Sequence, residues 1–525
     1  MRSYYEHLDT AMGAKTPIPN HPITRSSAIF PVLNQPGIRS RILFMGYWIL
    51  KRNIKQILGV VNLRSQKGEL LGRQTLEIDQ AKTFRIELSD QLVNAGYPAD
   101  APFVGSLEVE FYATTNLVFP YPAVVINYYG PQFSSVVHTA QRVYNDFEDL
   151  KRNSQTQVPE SGFNVYADDE REPFIGLING AEGVDKADFT MEFFNLEHET
   201  LQHTLKLGRL EPYETRIIYP AKEVDLRGFL KGHIGACKAH FHVNWIFPRL
   251  VVGNIQHTLP ALAITHTYYD TSTASNESDY WRPTEPGWHA ASLMVPAVIS
   301  SEHFTNVYFY PIYSPSEFYL DVELYNAEGK LIGHREGVIT VKSPSEDLFR
   351  IDLKSIAKEF NHAPENLGAR IIARSVEGKR IPARIKLGLD VGEGTRQLPC
   401  NICTNLQPFN PMLETKPTAF RWAPVLTDQP TPTIWIMNSA PHIDYTRKAD
   451  IAMTFFREKD AEVCKRAFTL APHGFRVIYP NEDPELREFF EGQVGWFTLT
   501  TSNPYTSTYY FAENPSGFVG GDHGF

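Results

Sequence analysis

His240 and His242 stand two positions apart in Ala239-His-Phe-His-Val-Asn-Trp245. On an extended strand alternate side chains share a face, so the two imidazoles would lie ~6.5–7 Å apart. That spacing lets two ring nitrogens converge on one metal ion, with a third ligand supplied by a neighbouring strand. His266 and His233 are the nearest candidates for it, and seven of the 17 histidines fall between His198 and His266. The competing reading is a polar outer strand face, with Phe241, Val243 and Trp245 turned to the core. No cofactor is expected on this reading; a divalent metal at His240, His242 and His266 is the alternative the residue types leave open.

Three further histidines recur near similar positions. His138, His266 and His523 lie 33, 31 and 28 residues past Gly105, Gly235 and Gly495. The corresponding stretch after Gly368 carries Cys400-Asn-Ile-Cys403 instead. A histidine beside a carboxylate can act as a general base. Its loss from one of four positions favours a structural role. A single CxxC without a second pair or a histidine cluster is weak as a zinc motif, and four cysteines in 525 residues make no disulfide framework. No G-x-S-x-G elbow, Walker A loop, G-x-G-x-x-G after a strand or H-E-x-x-H is present. No catalytic residue is therefore assigned.

Aromatic pairs in expected loops offer another kind of surface. Tyr268, Tyr269, Tyr280 and Trp281 are the candidate ligand contacts, because exposed Tyr and Trp present flat, stiff rings with a polar edge. Other aromatic clusters are expected to pack between sheets.

These residues sit on a repeated framework. Between Asp321 and Ile356 an alternating strand leads to a turn, a second strand, and a third containing Phe349-Arg-Ile-Asp-Leu353. The turn residue recurs as Asn62, Asn195, Asn326 and Arg457, in steps of 133, 131 and 131. An arginine recurs in the third strand at Arg85, Arg216, Arg350 and Arg476. A glycine follows it at Gly105, Gly235, Gly368 and Gly495, with a short helix expected between the two. A period this long is a domain repeat. The arginine alternates with apolar neighbours, which suits an outward cation on an edge strand. In Ser106-Leu-Glu-Val-Glu-Phe111 the same alternation predicts a strand with one wet face.

The fold class expected is all-β: four tandem antiparallel sandwiches, each with one short helix. The boundaries expected are a leader over 1–25 and copies over 26–148, 163–270, 288–405 and 418–525. At this level the chain resembles tandem immunoglobulin-like and fibronectin type III-like repeat proteins. That resemblance is architectural and implies no activity, since such sandwiches host unrelated functions.

The formal charge of −10 and the lack of any basic block argue against nucleic-acid partners. No apolar stretch approaches the ~20 residues needed to span a bilayer. No secretory signal is legible, so a cytoplasmic protein is expected, with export by another route left open. The functional expectation is a non-catalytic repeat protein that binds a glycan or protein partner or assembles with itself. Two alternatives remain: a polysaccharide-active or metal-dependent enzyme with its site at the histidines of the second copy, and a phage or virion structural component.

Overall fold

The computed structural model describes residues 22–117, 122–138, 141–143, 155–269, 280–281, 290–300, 302–342, 347–362, 365–382, 384–394, 397–406 and 411–525. The expected leader over 1–25 lies almost wholly outside them, as do most of the residues joining one copy to the next. Every strand pairing among the described residues is antiparallel, and the fold is all-β.

Each copy is built from two facing sheets sharing one four-strand order, to which the second copy adds Tyr268–Tyr269 at one edge. In the first, Arg25–Asn34, Phe103–Tyr112, Ile57–Ser65 and Leu70–Ile78 form one sheet. Thr83–Glu87, Arg39–Met45, Val124–Gly130 and Phe133–His138 form the other. The third copy repeats this order, from Ala291–Ala297 to Leu331–Val341 and from Phe349–Asp352 to Cys400–Leu406. Alternation explains the sandwich: Leu107, Val109 and Phe111 are fully buried between the sheets of copy one.

The repeated arginines lie on edge strands in all four copies, as expected of outward cations. A short helix follows each, over Leu88–Asn94, Leu226–Leu230, Leu353–Glu359 and Pro484–Phe490. The carboxylates of Asp225, Asp352 and Asp483 cap the last three by accepting backbone N–H bonds. In copies two and four the repeated glycine makes room for the helix before it. A Cβ on Gly495 would sit 2.0 Å from the Phe490 ring, and one on Gly235 would lie 2.5 Å from Leu230 Cδ2.

Two expectations are corrected. Asn62 is not a turn residue: it is buried inside Ile57–Ser65 and donates to Glu108 and Glu110. The first turn is at Ser65, whose N–H donates to Glu69 O, just as Asn195 donates to Glu199 and Asn326 to Lys330. The Glu108–Glu110 face is not wet either. Arg25, Arg64 and Asn62 bind the two carboxylates, and Arg64 stacks on Tyr213 of the second copy. The polar face is buried in an interface between copies.

The copies close into a ring, and the same contact joins each to the next. Every turn docks on the residues just before the following arginine. Gln66 O accepts from Thr215 N at 2.9 Å, and Ala327 O accepts from Phe475 N at 3.0 Å. His198 pairs with Asp347 at 3.3 Å. Arg457 O accepts from Thr83 N at 3.1 Å, which joins the fourth copy to the first. The last strands, Phe133–His138, Ala261–His266, Cys400–Leu406 and Val519–His523, meet around the centre in that cyclic order. At least one bond links each neighbouring pair. Ile264 N donates to Ser135 Oγ, Cys403 N to Thr265 Oγ1, Cys400 Sγ to Gly521 O, and His138 N to Asp522 Oδ2.

Candidate functional site

Closure of the ring brings together the C-terminal ends of three last strands, and with them His138, His266 and His523. Each offers one ring nitrogen, and these nitrogens all lie within 4.8 Å of one another. The His138 ring meets the His266 and His523 rings edge-on, with centroids 4.6 and 4.4 Å away. Phe525 packs against His138 at 5.1 Å and stacks on Trp422.

All three Nδ1 atoms are engaged away from the cluster. His138 Nδ1 is 2.7 Å from Asp522 Oδ2. His523 Nδ1 is 3.0 Å from Gly524 O, and His266 Nδ1 is 3.0 Å from Thr267 O. The Arg249 guanidinium also approaches His266 Nδ1, at the longer distance of 3.3 Å. An Nδ1–H that donates to an oxygen leaves the lone pair on Nε2. His523 Nε2 is buried and has no hydrogen-bond partner. Burial, with the neighbouring His138, holds the His266 pKa well below its ordinary value and also lowers that of His523. Burial works to raise the Asp522 pKa, but His138 overrides it and the carboxyl stays below the usual range.

A second grouping lies between copies three and four. His303, Glu393 and Glu513 bring ligand-type atoms within 4.8 Å of one another, with His303 Nε2 3.1 Å from Glu513 Oε2. That hydrogen bond raises the His303 pKa despite its partial burial. The group borders a cleft of about 180 Å³, lined also by Asn366, Thr431, Thr433 and Tyr479. Tyr479, 37% exposed, is shared with an adjoining groove of about 320 Å³ that carries Arg466, Phe468, Arg476 and Glu482.

The residues singled out by sequence are divided by the fold. His266 is in the central cluster. His240 and His242 are on Gly235–Asn244, in the opposite sheet of their copy, and belong to neither grouping of three found among the described residues. His240 Nε2 lies 3.4 Å from Glu192 on that half-exposed face. Tyr268–Tyr269 pairs with Glu160 and Ser161, and Tyr280–Trp281 pairs with Ile381 and Pro382. The side chains of these four aromatics lie outside the described residues. Cys400 and Cys403 are buried thiols that form no disulfide. Sequence reasoning saw Asp522 only as the neighbour of His523, not as the partner of His138, and it missed Tyr479. The recurrence of histidine near the repeat ends was the available signal for the cluster.

No protein-family model matches the chain, and no curated protein matches it. Among solved structures it is similar to a Parabacteroides merdae β-glucuronidase, at 10% identity over 46% of this chain and 28% of that one, with a TM-score of 0.11. It is similar to a calcium-binding mutant of Bacteroides uniformis β-glucuronidase 2 at 9% identity, over 52% and 29%, with a TM-score of 0.11. It also resembles a tetra-tandem repeat in the extending region of a large adhesion protein, at 6% identity over 90% of both chains, with a TM-score of 0.08. The chain thus spans less than a third of the glucuronidases, and no likeness at these scores carries an argument about function. Among the described residues no helix is long and apolar enough to cross a membrane.

Proposed function

We propose that the chain is a non-catalytic ring of β-sandwiches that binds a glycan over Tyr479. The observation that carries this reading is that Tyr479 borders both the cleft between copies three and four and the groove on copy four. A half-exposed tyrosine gives a pyranose ring a flat surface for its C–H face. The polar groups to either side are of the kind that hold hydroxyls: Thr431, Asn366 and Glu513 in the cleft, Arg476 and Glu482 in the groove. The two recesses together suit an oligosaccharide better than one small molecule.

The test is a glycan array read with the whole chain and with Tyr479→Ala. Retention of a defined glycan class by the parent, lost at least tenfold in a variant of unchanged melting temperature, is the expected result. An array silent for the parent, or binding indifferent to the substitution, would refute this reading.

A further inference from the structure

We propose that His138, His266 and His523 bind one divalent metal ion of the zinc class through their Nε2 atoms, and that the ion ties the first, second and fourth copies together. The site is independent of the groove at Tyr479. Imidazole nitrogen suits zinc, cobalt, nickel and copper, whereas magnesium and calcium take oxygen ligands. Three histidines with a fourth position left to water form a common zinc arrangement.

Three observations support a built site. The first is orientation: each Nδ1 faces an oxygen, from Asp522, Thr267 or Gly524, which turns Nε2 to the metal side. Metal-bound histidines characteristically donate their other N–H to a carboxylate or carbonyl in this way, and His138 with Asp522 has the carboxylate form of that pairing. The second is the buried His523 Nε2, a lone pair that nothing among the described residues satisfies. The third is spacing. Tetrahedral ligation at ~2.0–2.1 Å puts nitrogens roughly 3.3 Å apart, and one ring nitrogen of each histidine already lies within 4.8 Å of one on each of the others. The small contraction needed falls to His138 and His523, which are less deeply buried than His266. Arg249 approaches His266 on its Nδ1 side, at 3.3 Å.

The whole chain, stripped with a chelator and dialysed against Zn2+ or Co2+, should hold one ion by elemental analysis. The cobalt form should show the visible d–d bands of low-coordinate nitrogen ligation. His138→Ala with His523→Ala should reduce retention to below a tenth of an ion, whereas His240→Ala with His242→Ala should leave it unchanged. Asp522→Asn should weaken affinity roughly 10- to 100-fold, the usual effect of losing such a partner. Circular dichroism checks that each variant folds. If the His138 and His523 variant does not, the Asp522→Asn affinity and the cobalt spectrum of the parent decide. A parent chain that retains neither ion, or a folded His138 and His523 variant that keeps its metal, would overturn the proposal.

Discussion

His240 and His242 are two residues apart and share a strand, whereas Asp522 and His138 are 384 residues apart and share a hydrogen bond. The first pair stays on an outer sheet face, where His240 lies 3.4 Å from the partly exposed Glu192. The second belongs to a cluster drawn from three copies of one domain. A strand can line up two imidazoles locally, but a third ligand must come from elsewhere in the fold. In this chain the elsewhere is the meeting point of the last strands, and the outer sheet of copy two does not reach it. Histidines near one another in sequence are therefore the less organised group here.

The contrast between inward seams and outward faces can be tested by substitution. The largest effect is expected at Asp390, buried between copies two and three. Its carboxylate accepts from Asn164, Asn401 and Tyr166. Burial raises its pKa to about 7, against bonds from those partners that work to lower it. The unfolded group titrates near 3.9. Between these values the folded chain holds a proton that the unfolded chain has released. The contribution of Asp390 is therefore fully present below pH 4, is lost as pH rises toward 7, and is flat beyond. At about 1.4 kcal/mol per pKa unit the swing is on the order of 3–4 kcal/mol. Urea melts from pH 4 to 8 should show it as the difference between the parent and Asp390→Asn. A parallel pair of profiles would remove Asp390 from the account.

Asp522→Asn comes next. The carboxylate accepts from His138 N, His138 Nδ1 and His523 N, and an amide must turn a donor toward at least one of these. A loss of about 1.5–3 kcal/mol is expected in metal-free protein by chemical denaturation. Gly520→Ala should cost about 1–3 kcal/mol, because a Cβ there would stand 1.7 Å from Ser134 O and push the first and fourth copies apart. The same added methyl at Gly208, which meets nothing within 4 Å, tests the positive φ of 73° without any seam. The smallest effect is expected for His240→Ala with His242→Ala, within about 0.5 kcal/mol, as for a surface change. A loss comparable to that at Asp522 would erase the distinction between the two groups.

Much of the framework was legible because strand periodicity and turn chemistry are local. The arginine strands and the Asp483–Pro484 helix start follow from neighbours within a few residues. The mistakes came where tertiary contact overrides the local pattern. Asn62 reads as a turn residue, yet it is tied to Glu108 and Glu110, and the turn falls three residues later. Glu108 and Glu110 read as a solvent face, yet the neighbouring copy covers them. The central histidines showed a regular spacing but not their convergence. A repeat length says how many copies there are, and nothing about which way each faces the next.

Because the fourth turn docks on the first copy as each of the others docks on its successor, the assembly has no end repeat. In an open array, losing one unit shortens the stack and leaves its neighbours with the same kind of terminus. Here the number four is part of the geometry. Deleting any copy would strip a docking face from two others at once, and inserting a fifth would leave the circle unable to meet. Circular permutants that cut the chain between copies keep every such face, so they are the rearrangement this molecule should tolerate best.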